Sequence, residues 1–64
     1  MKIMLNGDER VVTASNLSEL LEECELSGRV ATAVNEEFVP VNARKTYSLK
    51  DGDRVEVLAP MQGG

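Results

Sequence analysis

Hydrophobic and polar positions follow two different periods along this chain, and the places where the period changes mark its elements. Lys2 to Asn6 is apolar around Ile3-Met4-Leu5 and runs into Asn6-Gly7-Asp8, a turn signal, before the β-branched run Arg10-Val11-Val12-Thr13. This predicts a β-hairpin. From Leu17 the period becomes helical, with Leu17, Leu20, Leu21 and Cys24 at i, i+3, i+4 and i+7 on one face. Asn16 stands at the N-cap with Glu19 at the third helical position, a capping-box arrangement. The helix is expected to run to about Glu25, with Gly28 ending it.

Past the helix the period returns to two. Val30-Ala31-Thr32-Ala33-Val34 reads as a third strand, Asn35-Glu36-Glu37 as a turn, and Phe38-Val39 as a short strand stopped by Pro40, which suggests a sheet edge. Val41 to Ser48 has no clear period and is expected to be irregular. Asp51-Gly52-Asp53 is a tight turn, and Arg54-Val55-Glu56-Val57-Leu58 alternates as a half-buried strand. If Ile3, Leu5, Val55 and Val57 face the helix, alternation turns Met4 and Leu58 to the opposite face, where they could form a small contact patch. The order ββαβββ predicts an α+β fold of two layers: a mixed sheet of four to five strands crossed by one main helix.

Size restricts the chemistry. A chain of 64 residues makes one domain and buries only about 60% of its unfolded surface. A small-molecule pocket of about 300 Å³ or more would hollow out so small a core, so an enclosed active site is not expected. The sequence has no histidine to act as a base near neutral pH, and its single cysteine can build neither a zinc site nor an intramolecular disulfide. Cys24, on the apolar face of the helix and flanked by Glu22, Glu23 and Glu25, is expected to pack in the core as a small hydrophobe. No metal site is expected.

Charge and hydropathy exclude two further classes of partner. Eleven acids against seven bases give a formal net charge of −4, the wrong sign for a nucleic-acid binder, whose Lys and Arg must neutralise phosphates. A partner with a basic surface fits better. Ile3-Met4-Leu5 is far shorter than a signal-peptide core, and no stretch approaches the ~18 apolar residues that span a membrane. With an unpaired cysteine, the chain reads as cytoplasmic.

What remains is the end of the chain. Gly63 and Gly64 close the sequence with a carboxylate on a tail of almost no side-chain bulk. Glycine lacks a Cβ and lets backbone enter a channel that would reject any other residue, although a frayed terminus would look the same. Pro60 fixes its own φ and biases Ala59 toward extended conformations. Five residues from Pro60 to Gly64 span at most about 17 Å. On this reading residues 1–59 form the folded domain and residues 60–64 a flexible tail, with Met61 a further residue able to pack on a partner.

The combination of Ile3-Met4-Leu5-Asn6-Gly7, Leu20-Leu21, Val34-Asn35, Val39-Pro40, Leu49-Lys50-Asp51-Gly52-Asp53-Arg54-Val55-Glu56-Val57 and Gly63-Gly64 resembles the ubiquitin-like β-grasp sulfur carriers, in particular the ThiS family of thiamine biosynthesis. The resemblance covers essentially the whole chain, and its specificity lies in the order and spacing of the pieces. It departs from the pattern at one place. The family often has an arginine directly after the Val-Pro pair, whereas Val41 follows Pro40 here and the nearest base is Arg44, so no role is assigned to a base at this site.

The resemblance implies a protein cosubstrate, not an enzyme. An E1-like adenylating enzyme would use ATP and Mg²⁺ to convert Gly64 to an acyl-adenylate. A cysteine desulfurase or other persulfide donor would then replace AMP and leave a thiocarboxylate, with Gly63 giving the tail passage. Thiazole synthase would receive the sulfur for the thiazole ring of thiamine. The carrier would bind no permanent cofactor and be a monomer alone. The small subunit of molybdopterin synthase, another sulfur-supply route or ubiquitin-like conjugation shares the same activated terminus. A β-grasp interaction module with an incidental tail is the remaining alternative.

Overall fold

The computed structural model of the chain describes residues 1–26 and 28–59. Within them, β1 (Lys2–Leu5) and β2 (Asp8–Val11) form an antiparallel hairpin in register Leu5↔Asp8 to Lys2↔Val11. Asn6 and Gly7 make its two-residue turn, both at positive φ, 50° and 87°. That is the geometry matching the twist of the flanking strands, and Asn-Gly is the dipeptide that adopts it most readily. The hairpin therefore closes tighter than the apolar pattern implied, and β2 begins at Asp8 instead of Arg10.

The helix α1 (Leu17–Glu23) starts as expected and stops earlier. Asn16 Oδ1 accepts from the Glu19 amide at 2.8 Å. Glu19 Oε1 reaches past the cap to accept from the Ser15 amide at 3.0 Å and its hydroxyl at 2.9 Å. At the other end the helix is closed at Glu25, in the left-handed conformation with φ 58°, three residues before Gly28, itself at φ 117°. The Leu26 amide donates to Leu21 O at 2.7 Å and the Glu25 amide to Glu22 O at 3.1 Å, the paired bonds of a Schellman cap. Leu26 then packs against the core, and that contact outweighs the missing glycine.

Three further strands complete the sheet: β3 (Ala31–Val34), β4 (Glu37–Val39) and β5 (Arg54–Leu58). The strand order is β2-β1-β5-β3-β4, so the last strand enters the centre, parallel to β1 and antiparallel to β3. β4 is an edge strand, as Pro40 implied. Only one turn of the segment after it is regular, a 3-10 helix over Val41–Ala43. The result is a five-stranded mixed sheet with one helix across it.

Ile3, Leu5, Thr32, Val34, Val39 and Val55 occupy the inner face of the sheet and are buried against Leu17, Leu20, Val12, Ala14 and Leu49. Cys24 departs from its expected place. It lies at the C-cap, half-buried at the edge of the core, with Arg10 Nη2 donating to its Sγ at 3.7 Å. The short helix puts this position at its last turn, where the apolar face meets solvent.

Candidate functional site

β5 is the element that delivers the chain to its C-terminal tail, and it is held at both ends by asparagine side chains. At its start the Asn35 side-chain Oδ1 accepts from the Arg54 amide at 3.0 Å, beside a backbone bond in which the Asn35 N–H donates to Arg54 O at 2.7 Å. Near its end Asn6 Oδ1 accepts from the Val57 amide at 2.8 Å and Asn6 Nδ2 donates to Val57 O at 3.2 Å. Both asparagines sit in two-residue turns at positive φ, a conformation in which asparagine is tolerated better than most residues.

Asp51-Gly52-Asp53 does more than turn the chain. Asp53, largely buried, accepts from the Lys50 amide at 2.8 Å and from Asn35 Nδ2 at 3.0 Å. Asp51 Oδ1 accepts from the Lys2 amide at 2.7 Å, and the Gly52 amide donates to Lys2 O at 2.7 Å. Gly52 has φ 91°, which favours glycine. These bonds lock the entry to β5 against β1 and the β3–β4 turn.

The outer face of the sheet presents the exposed apolar surface. Register pairs Ala31 with Leu58, Ala33 with Glu56 and Ala33 with Phe38, so these side chains share one face. Leu58 is 73% and Phe38 69% exposed. With Ala31, Ala33 and Glu56 they line a shallow depression of about 330 Å³. Met4 is on the same face but pairs with Arg54, four residues before Leu58 and so about 13 Å from it along the strand. It lines a separate hollow with Gly7, Glu36 and Glu56. The expected two-residue patch of Met4 and Leu58 is thus corrected: Leu58 has Phe38 and two alanines as neighbours, and Met4 stands apart among charged groups. Phe38 was legible in principle, because an inward Val39 at an edge strand turns its neighbour outward.

Arg44, the base nearest Pro40, is buried and turned into the fold. Its Nε donates to Thr32 Oγ1 at 3.1 Å and its Nη2 donates to Val30 O. It is structural in position, away from the Phe38–Leu58 face. Met61, Gly63 and Gly64, the remaining expected site residues, lie outside the described residues. Among those described, no helix is long and apolar enough to cross a membrane, and no group of three or more acidic, cysteine or histidine side chains could hold a metal ion.

Comparison with known proteins is consistent over the full chain. The sequence model of the ThiS family matches residues 3–64. The sulfur carrier protein ThiS of Thermus thermophilus is 45% identical over 64 residues, covering 97% of this chain and 98% of the relative. A thiazole synthase of Paramagnetospirillum magneticum is 39% identical over 66 residues, which is all of this chain but only 20% of that protein. The crystal structure of the thiamine biosynthesis protein ThiS from Geobacter metallireducens superposes with a TM-score of 0.86 at 32% identity, each chain covered completely. A solution structure of a thiamine biosynthesis protein from the same organism gives 0.81 at 32% identity, covering all of this chain and 88% of the other.

Proposed function

This chain belongs to the ThiS family, and on that premise we propose that it is a sulfur carrier of thiamine biosynthesis whose Gly64 carboxylate is the group that carries the sulfur. The observation that supports this most directly is the full-length likeness to a sulfur carrier protein, together with a family match that runs through Gly64.

The chemistry follows from the carboxylate itself. Ionised at neutral pH, it is stabilised by resonance and is a poor acyl donor. Activation by ATP on an E1-like adenylating enzyme, with Mg²⁺ held by that partner, turns it into a mixed anhydride with AMP as leaving group. The outer sulfur of a persulfide from a cysteine desulfurase or equivalent donor displaces AMP to give an acyl disulfide. A thiol then reduces its S–S bond, releasing the thiocarboxylate and leaving the donor sulfur in a disulfide with that thiol. Gly63 and Gly64 offer no side chain to obstruct a narrow active site, and five residues beyond Ala59 have a maximum reach of about 17 Å, enough for the body to remain outside. The carrier supplies no base and is acted upon.

Thiazole synthase is the proposed acceptor. A domain resembling this whole chain occurs within a protein of that name, which supports a working relationship between the two. Docking falls to the outer face, where Phe38 and Leu58 offer apolar area and Glu36 and Glu56 give an acidic surround. Met61, next to that face in sequence, is a further contact in this proposal, and Met4 a peripheral one.

Intact-mass measurement tests the reading. After incubation with the adenylating enzyme, ATP and a persulfide source, the protein is expected to gain the mass of an oxygen-to-sulfur exchange, and a chain lacking Gly64 is expected to gain none. An unchanged mass in the full-length protein, or undiminished transfer by the truncated one, overturns it.

A further inference from the structure

The β1 strand ends one rung too early to support the end of β5. Its parallel pairing with β5 stops at Leu5↔Val55 because the chain turns away at Asn6-Gly7, and the Asn6 amide makes the last backbone bond, to Val55 O at 2.9 Å. On this side the Val57 N–H and C=O would be left without a strand partner. The Asn6 carboxamide meets both, accepting at 2.8 Å and donating at 3.2 Å. A side chain thereby supplies the rung that the backbone cannot. Val57 is the penultimate residue of β5, and two residues further on lies Ala59, the last described position before the tail.

We propose that Asn6 is a positioning residue for the C-terminal end: by pairing with Val57 it fixes the point at which the chain leaves the sheet, and so the origin from which Gly64 is presented to a partner. This rests on the reading of Gly64 as the reacting group. The opposite side of β5 is held at its end by Ala31, the first residue of β3, opposite Leu58. Without the Asn6 clamp, Val57 and Leu58 are secured on one side only, and about 7 Å of chain contour can join the tail. A reacting group on a longer, looser tether loses effective concentration at a fixed target. Displacement of about 1 Å at a reacting centre can cost up to about a hundredfold in rate.

The substitution Asn6→Gly isolates the clamp. Glycine accepts the positive φ of this turn freely, and Gly-Gly is itself a favoured hairpin dipeptide, so the hairpin is retained while the carboxamide is removed. Asn6→Asp keeps an acceptor for the Val57 amide and loses the donor to its carbonyl. Three quantities are read with the adenylating enzyme and ATP: amide exchange at Val57 by NMR, enzyme affinity, and kcat for adenylation. The expected result for Asn6→Gly is faster exchange at Val57, affinity within about twofold of wild type and kcat lower by roughly tenfold, with Asn6→Asp intermediate. A merely structural role would lower thermal stability without dividing kcat from affinity. Equal kcat in wild type and Asn6→Gly, or a loss confined to affinity, overturns the inference while leaving the sulfur-carrier reading intact. A wild-type protein that is not adenylated overturns that reading, and this inference with it.

Discussion

The Arg44 guanidinium donates to the Thr32 hydroxyl at 3.1 Å beneath the sheet, and Thr32 in turn donates to Val39 O at 2.8 Å. Three segments meet in this chain of bonds: the loop after the 3-10 turn, the inner face of β3 and the end of edge strand β4. Arg44 makes no salt bridge among the described residues, so its buried charge is satisfied by neutral acceptors, which charge-assisted hydrogen bonds permit when they are fully formed. The Arg44 carbonyl also accepts from the Ser18 amide at 3.3 Å, tying the same loop to the start of α1.

Replacing Thr32 by valine keeps the shape and removes the hydroxyl. Arg44 Nε then loses its acceptor, and the cost is expected to be about 2 kcal/mol, a fall in Tm on the order of 10 °C for a domain of this size. Thermal unfolding followed by circular dichroism measures it. A variant melting with wild type would show that the Thr32–Arg44 bond contributes nothing net.

The C-cap of α1 offers a gain. Glu25 holds φ 58°, a conformation costing a residue with a Cβ roughly 1–2 kcal/mol. It also lies just past a helix end that has no basic residue in its last turn, where negative charge opposes the helix dipole. Glu25→Gly is expected to stabilise the protein by about 0.5 kcal/mol after the extra chain entropy of glycine is subtracted. Glu25→Ala, which keeps the Cβ, should not match it. If alanine and glycine proved equal in denaturant titration, backbone strain would not be the cause.

Acid should weaken the loop that joins β2 to α1. Hydrogen bonds to the Thr13 amide and hydroxyl, with the Ala14 amide, hold the Glu23 carboxyl below its ordinary pKa. The Ser15 amide and hydroxyl do the same for Glu19. Because the folded values are depressed, the contribution of both is complete above the ordinary glutamate range and is lost as pH falls through the lowered values. Tm is expected to hold down to about pH 5 and decline below it. Glu23→Gln should flatten that decline; a variant with an unchanged Tm–pH profile would remove Glu23 from the explanation.

Docking on the outer face predicts a hierarchy. Phe38→Ala and Leu58→Ala should each weaken binding to thiazole synthase by roughly tenfold or more, the scale of burying one large apolar side chain. Met4→Ala, beside Arg54 instead of Leu58, should change it less. Tm should move little for Phe38 and Leu58, which are 69% and 73% exposed. Calorimetric titration distinguishes the three, and equal affinities across the series would place the contact elsewhere on the body.

Much of this molecule was written locally. The Asn6-Gly7 turn, the Asn16 cap, the helical face of Leu17, Leu20 and Leu21 and the alternation in Arg54–Leu58 all depend on residues within a few positions of one another. Their signals therefore survive in a linear reading. The family likeness and the diglycine ending were legible for the same reason, as ordered residues in sequence. What the linear pattern could not contain was decided by tertiary structure. β5 enters between β1 and β3 through backbone hydrogen bonds, which carry no side-chain signature, and Asn6 reaches Val57 across 51 positions. Arg44 was only the base nearest Pro40, with no role assigned, until the fold placed it under Thr32. Glu25 ends the helix in place of Gly28 because packing of Leu26 on the core overrides local preference. Phe38 and Leu58 became one surface only when β5 was brought into register with the β3–β4 hairpin, since adjacency in a sheet is set by pairing and not by proximity along the chain.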